Sequence, residues 1–421
     1  MFAATLAFSV LAAALCFADS QARIVRLSDV QGDVQLDRGN GQGFQKAFLN
    51  LPLTQGAKLK TNAAARAEVE FEDGSTLRIT PDSAVEFAML SLRDSGTKLS
   101  TVNLLKGSAY VTVAGAKNDD FTVAFGHETL RFPQRARVRI KLVADSVSVA
   151  VFKGEAEIIT ATGTTQIAKN ETATFDLAGA DHETLAKEVK SDPNDSWDKQ
   201  QDQYHDRYAD NTVAGNYSPY AYGGSDLNYY GSFFNQPGYG LLWQPYFAGA
   251  GWDPFMNGAW AFYPGFGYGW VSAYPWGWTP FHYGSWAFLP GRGWAWQPGG
   301  SWSTYSTMLS VKNPPANFAM PKPPVSGQGM AFVNQGKAFD GREVIKNSAG
   351  LGIARGSIRN LGEFSPIVQR QGSALVAGFQ PAWRAGDSGF DPRISAHSSI
   401  ANSGSLAHTT SHVSAGVGVH H

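Results

Sequence analysis

Gly231–Trp243 (GSFFNQPGYGLLW), Gly258–Trp270 (GAWAFYPGFGYGW) and Gly284–Trp296 (GSWAFLPGRGWAW) are three copies of one phrase, Gly-x-aromatic-x-x-x-Pro-Gly-x-Gly-x-x-Trp. Their starts lie 27 and then 26 residues apart, and six positions agree in every copy, so the segment is an internal repeat. Pro-Gly suits the two central positions of a type II turn, because Pro presets φ and Gly accepts the left-handed conformation that follows. Gly-x-aromatic then opens one strand and Gly-x-x-Trp returns as the next. Three such hairpins predict a six-stranded aromatic meander. Side-chain alternation puts Trp260 and Phe262 on one face and Ala261 and Tyr263 on the other. Trp294 and Trp296 share a face on the third return strand. Trp252-Asp-Pro-Phe-Met-Asn-Gly258 is echoed by Trp278-Thr-Pro-Phe-His-Tyr-Gly284, which makes the full period about 26 residues.

Ten of the twelve tryptophans lie between Trp243 and Trp302. In a small sheet short of Leu, Ile and Val, rings must supply the buried apolar area. Rings left on an open face would instead stack on the sugars of a glycan, or anchor a protein partner. All three roles stay open at the level of sequence. The candidates for ligand contact are Trp252, Trp260, Trp270, Trp278, His282, Trp286, Trp294 and Trp296. His282 sits among aromatics, where a structural or hydrogen-bonding role outweighs metal binding or base catalysis.

Upstream, from Ile24 to about Leu177, apolar and polar residues alternate in short bursts broken by Gly, Asp and Asn. Val30, Val34 and Leu36 fall on one face of a pleat. Ala67–Phe71 and Thr76–Thr80 flank an Asp-Gly turn and read as a hairpin. Val138–Leu142 and Ser146–Phe152 repeat the pattern. Frequent strands without a long helix argue for an antiparallel β-sandwich or roll. Asp181–Asn211 is charged and amide-rich. There, His182–Lys190 suits two helical turns, and a second helix starts near Asp195, a good N-cap. Trp197, Tyr204 and Tyr208 lie along one stripe of that helix. Its Asp195, Asp198, Asp202 and Asp206, interspersed with Lys199 and Arg207, read as a solvated face.

The run Phe2–Ala18 is uncharged, ends at Asp19 and is too short for a comfortable membrane span. It suits a secretory signal peptide cleaved after Ala18 or Ala22, although no Lys or Arg precedes Arg23. Cys16, the single cysteine, lies inside it behind Ala13-Ala14-Leu15, a poor lipoprotein site. A mature chain without thiols excludes disulfides, thiolate metal sites and cysteine nucleophiles. Beyond the repeats, Pro314-Pro315 and Pro321-Lys-Pro-Pro324 read as an extended linker. Met330–Val333 and Val344-Ile345 read as short strands. From residue 372 the composition predicts disorder, with His397, His408, His412, His420 and His421 in a Ser-, Gly- and Ala-rich tail.

A net charge of −1 with only 16% charged residues leaves no electrostatic footprint for nucleic acid or an anionic membrane. No GxSxG, HExxH, Walker or EF-hand phrase is present. Pro264-Gly-Phe-Gly267 and its sister turns lack the Lys of a phosphate loop. No enzyme, cofactor or metal is expected.

Two resemblances add to this reading. Gly32-Asp-Val34, Leu53…Gly56…Leu59-Lys-Thr61 and Ala67–Leu77 resemble the FecR periplasmic domain. Leu105–Val111 and Val151–Ile158 continue the likeness, which covers Ile24 to Phe175. It implies an extracytoplasmic β-domain of the kind that passes information about an outer-membrane receptor to a sigma factor. In that family a cytoplasmic segment and a membrane helix come first; here the domain directly follows the signal-like run, which favours a bare module used for binding or assembly. Tyr229-Tyr-Gly231, Gly269–Ser272, Pro275–Trp278 and His282–Trp286 resemble the DUF6600 family, over Trp197 to Pro298. That resemblance implies architecture and no activity.

The expected layout is a signal peptide (1–22), a FecR-like β-domain (23–177), a charged, partly helical hinge (178–225), an aromatic module (226–303), a Pro/Gly-rich linker with short strands (304–371) and a disordered tail (372–421). The expected function is that of an exported, non-enzymatic cell-envelope protein whose FecR-like module binds an extracytoplasmic ligand or partner, an envelope protein or a glycan, or serves as a scaffold linked to trans-envelope signalling; the alternative is binding of peptidoglycan or polysaccharide by the stacked aromatics of residues 231–302. No membrane span is expected after signal cleavage, and the oligomeric state is open.

Overall fold

The computed structural model describes residues 23–115, 119–177, 183–209, 218–306, 310–327, 329–334 and 343–376. The expected signal peptide, with Cys16, and the tail histidines lie outside the described residues.

The first domain is a sandwich of two sheets whose strands differ in burial. One sheet alternates cleanly. In Ala84–Leu92 and in the first half of Lys98–Val113, Val85, Phe87, Val102 and Leu104 face the core, while Glu86, Thr101 and Asn103 face outward. We call it the open sheet. Glu155–Ile159 and Thr164–Ala168 extend it to its far edge. The other sheet is buried on both faces at its centre: every residue of Arg66–Glu70 and Thr76–Ile79 is buried. Ala67, Val69, Leu77 and Ile79 enter the sandwich core, and the alternate positions are Arg66, Glu68, Glu70 and Arg78. Charged residues on a buried face require a second layer above them. We call this the covered sheet.

Lys98–Val113 belongs to both sheets. Its first half pairs with Ala84–Leu92 and, in parallel, with Asp120–Phe125; its second half pairs with Thr76–Ile79 and Ala136–Val143. The parallel pair is the exception to the antiparallel expectation. The strand changes sheets at Gly107, whose φ of +81° and close approach to Ser83 leave no room for a side chain.

All three repeat phrases form hairpins: Gly231–Gln236 with Gly240–Pro245, Gly258–Tyr263 with Gly267–Ser272, and Ser285–Leu289 with Gly293–Gln297. Each turn is closed by an N–H to C=O bond of 3.0–3.1 Å, from Tyr239 to Gln236, Phe266 to Tyr263 and Arg292 to Leu289. Gly238, Gly265 and Gly291 have φ between +77° and +81°, as a type II turn demands. The hairpins do not join into one six-stranded meander. The first and third share a sheet through the pair Trp243↔Trp296, while the second pairs with Met330–Asn334. The faces of the second hairpin explain this. Ala259, Ala261, Tyr263 and Val271 pack onto the core of the first domain, and Trp260 and Trp270 enter the aromatic core, so this hairpin bridges the two.

The hinge contains helix α1 (Asp195–Tyr208) and helix α2 (Gly224–Tyr230). Asn194, not Asp195, is the N-cap residue, and the Asp195 carboxylate is spent on Arg139 and Tyr110. Where two helical turns were expected after residue 182, Glu183–Ala186 is an edge strand on Thr172–Asp176. An unpaired sheet edge beside a charged, exposed segment overrides its modest helical propensity. The segment beyond the repeats is also more than a linker. Val344, Ala349, Ile353, Ile358, Leu361 and Val368 join the aromatic core, and Ser373–Leu375, expected to be disordered, pairs with Glu343–Ile345.

Candidate functional site

The eight residues selected from sequence as ligand contacts all lie inside. Trp252, Trp260, Trp270, Trp278, His282, Trp286, Trp294 and Trp296 are each no more than 3% exposed. Trp252 donates its indole N–H to Tyr274 Oη at 2.8 Å, Trp286 to the Pro280 carbonyl at 3.1 Å and Trp296 to the Tyr283 carbonyl at 2.6 Å. Trp260 and Trp270 meet edge to face at 5.5 Å, and Trp294 packs on Phe318 at 4.8 Å. Trp278 lies 4.2 Å from the His282 ring. These rings are core, and none offers a face to a sugar. The physical reason is the one the composition supplies: with few aliphatic residues in the module, the indoles must fill it.

His282 is held by geometry rather than poised for chemistry. Its Nδ1 donates to the Ser303 carbonyl at 2.7 Å, its ring stacks on Trp302, and burial pushes its pKa down to about 4.

The chemistry-bearing residues gather where the sequence did not point, between the covered sheet and α1. The aspartates of α1 do not form a solvated face. Asp198 is fully buried between Arg78 (2.7 Å) and Arg137, and Asp195 binds Arg139 at 2.6 Å. Asp202 faces Lys153 at 3.4 Å, and Asp206 alone is exposed. Next to them, Glu68 accepts from Arg78 at 2.7 Å, from His205 at 3.0 Å and from Arg355. Arg26 reaches Glu70 at 2.8 Å and Asp226 of α2 at 2.7 Å. Arg355, from the segment beyond the repeats, also binds Asp226 at 3.1 Å. Burial alone would raise the Glu68 and Asp226 carboxyls. His205, Arg355 and Arg78 hold Glu68 well below its usual range, and Arg355 and Arg26 hold Asp226 down. Asp29, at a bulge beside this cluster, is pushed up to about 6 by burial, with Glu68 and Asp226 adding to the effect.

Glu68, Glu70 and His205 bring ligand atoms within 4.8 Å of one another, the one such grouping among the described residues. As a metal donor set it fits poorly. Arg26, Arg78 and Arg355 already occupy the carboxylate oxygens, and their positive charges oppose a cation. The arrangement is an ion-pair network that joins the first domain, both helices and the C-terminal segment. The one signal in the sequence was the run of Arg and Glu at positions that alternate with apolar ones in Arg66–Glu70 and Thr76–Ile79.

Among the described residues, the open sheet carries no second layer. Met89, Leu92 and Ile159 are exposed on its strands. At one end lies an open depression of about 490 Å³ between Arg93, Thr97, Asp119, Arg131 and Phe132. Among the described residues no helix is long and apolar enough to cross a membrane.

Two family models match the chain: "FecR protein" over residues 57–157 and "Family of unknown function (DUF6600)" over residues 224–319. No curated protein matches. Two solved structures of a "putative anti-sigma factor" from Parabacteroides distasonis ATCC 8503 are similar in part. The first is 15% identical with a TM-score of 0.28, over 33% of this chain and 63% of that one. The second is 13% identical with the same TM-score of 0.28, over 38% and 71%. The chain thus spans less than two thirds of the first relative's length. A FecR match followed by a DUF6600 match is the order expected from the sequence.

Proposed function

We propose that the protein is an exported, non-enzymatic component of the cell envelope that binds a protein partner through its FecR-like domain, as a scaffold or relay in trans-envelope signalling. The observation that carries this reading is the one-sidedness of the sandwich. The covered sheet is occupied by the chain's own helices and C-terminal segment, whereas the open sheet presents Met89, Leu92 and Ile159 among polar residues. Isolated apolar side chains in a polar field are ordinary surface, but three on one sheet beside a shallow depression suit a protein contact better than a small substrate. Cross-linking of the intact chain in envelope preparations tests it. Capture of a membrane protein that is lost with Met89→Asp and Leu92→Asp, but kept with Leu185→Asp on the covered sheet's edge, supports the reading. Capture indifferent to Met89 and Leu92, or turnover of an envelope polymer by the purified chain, defeats it.

A glycan reading keeps one specific support. Trp302 is only half-buried, its ring stacked on His282 and Tyr222 with Tyr220 edge-on at 4.9 Å, so part of one indole outside the repeats stays accessible. Titration with peptidoglycan fragments should then change tryptophan fluorescence in the intact protein and not in Trp302→Ala. A flat titration removes it.

A further inference from the structure

We propose that Asn40 is a site of spontaneous covalent modification, at which the folded protein converts an asparagine side chain into a carboxylate through a succinimide. The chain holds Asn-Gly twice, at Asn40-Gly41 and at Asn257-Gly258. Glycine is the residue that least hinders attack by its own backbone nitrogen on the preceding carboxamide, because it has no Cβ. The structure opens one of the two pairs to that reaction and closes the other.

Asn40-Gly41 lies in the bend between strands Val34–Asp37 and Gln45–Lys46. Residues 41–44 are exposed, and apart from its chain neighbours nothing lies within 4 Å of the place a Cβ on Gly41 would take. The Gln42 N–H donates to Asn40 Oδ1 at 3.1 Å. This Asx turn folds the carboxamide back over the peptide that joins Asn40 to Gly41. It also leaves a backbone donor on the oxygen where negative charge develops when the carboxamide carbon is attacked. The Gly41 nitrogen gives its proton to solvent and bonds to Asn40 Cγ. The Cγ–Nδ2 bond breaks, and Nδ2 takes up a proton and leaves as ammonia. Water then opens the ring at either carbonyl, which yields aspartate or isoaspartate.

Asn257-Gly258 is closed on each of these counts. Asn257 is 5% exposed, its Nδ2 donates to Tyr274 Oη at 2.8 Å, and its backbone carbonyl accepts from Ala273 at 3.2 Å. Gly258 begins a strand of the second hairpin and lies under the Trp270 indole. The packing excludes the solvent that must take the proton and the rotation that ring closure needs. The product, by contrast, fits the bend at Asn40. Gly39 and Gly41 flank it with open space, and Arg38 stays anchored to the Phe262 carbonyl at 2.7 Å and to Gln45 Oε1 at 3.0 Å. The folded protein therefore gains a negative charge where the first domain meets the second hairpin, without unfolding. The inference is independent of the proposed partner binding, and either can fail alone.

Peptide mass spectrometry of the intact chain, incubated in mildly alkaline buffer with and without urea, tests it. In the folded chain the Asn40 peptide should convert to aspartate and isoaspartate about tenfold or more faster than the Asn257 peptide, which reacts only when the chain opens. In urea both should convert at similar rates. Isoelectric focusing should show a more acidic species that grows with time and is absent from Asn40→Gln. Asn40 left intact in the folded chain while it converts in urea overturns the proposal. So does equal conversion of Asn40 and Asn257 in the folded chain, or a product that is aspartate alone, which bypasses the succinimide.

Discussion

The indole of Trp270 lies over the α-carbon of Gly258 on the facing strand of the same hairpin, where a methyl group would overlap the ring. Trp243 covers Gly231 in the same way, and Trp296 also closes on Gly284, where the Gln297 carbonyl is nearer still and φ is +83°. The first and last fixed positions of the repeat are therefore one contact made three times. Gly258 has an ordinary φ, so Gly258→Ala should cost about 1–3 kcal/mol through overpacking. Gly265, at φ +77° with open space around it, should cost about 1–2 kcal/mol on replacement by Ala, from backbone strain alone. Urea midpoints measure both. Trimming Trp270 to Leu should relieve only the ring's share of the first penalty, because the Val271 carbonyl would still lie 2.7 Å from the new methyl group, and should leave the second unchanged.

Asp198 is the most enclosed carboxylate of α1. Asp198→Ala leaves Arg78 and Arg137 buried without their shared partner, and the expected loss is about 3–5 kcal/mol. Asp206→Ala, on the exposed side of the same helix, should change stability by less than about 0.5 kcal/mol. Equal effects in chemical denaturation would contradict the buried network.

The family match ends at residue 319, yet Arg355 binds Glu68 and Asp226 and buries its guanidinium. Arg355→Ala should cost about 3–5 kcal/mol. A chain ended at residue 342 should bind a hydrophobic dye, because it uncovers the surfaces on which Ile353, Leu361 and Val368 pack. Native-like melting and no dye binding would show that residues 343–376 are dispensable.

Burial holds the His282 imidazole at about 4, against 6.5 in the unfolded chain. Between these values the unfolded chain binds the proton more readily than the folded one. The stability contributed here is complete above pH 6.5 and falls as the pH drops toward 4, by up to about 1.4 kcal/mol per pH unit. His282→Asn keeps a donor for the Ser303 carbonyl and removes the titration. Its melting temperature should depend less on pH between 6.5 and 4 than that of the native chain.

Much of the architecture was legible because its signals are local. A Pro-Gly step fixes a turn within four residues, and alternation fixes a strand's faces, so the hairpins and the split between Trp260 and Ala261 could be read directly. The hinge misled for the opposite reason. Asp198 looks like a surface residue until Arg78, 120 positions away, is placed above it. Likewise, nothing local in Gly350–Gly356 announces that Arg355 ends between Glu68 and Asp226.

The sequence by itself determined a sandwich or roll of short strands, the three hairpins and their turns, because short-range φ preferences and side-chain periodicity suffice for those. Only the tertiary structure decided that Trp252, Trp260, Trp270, Trp278, Trp286, Trp294 and Trp296 are core, that the hairpins divide between two sheets, and that the acidic helix is an ion-paired lid on one sheet. Burial and charge pairing depend on which distant surfaces meet, and that is a property of the packed chain rather than of any stretch of it.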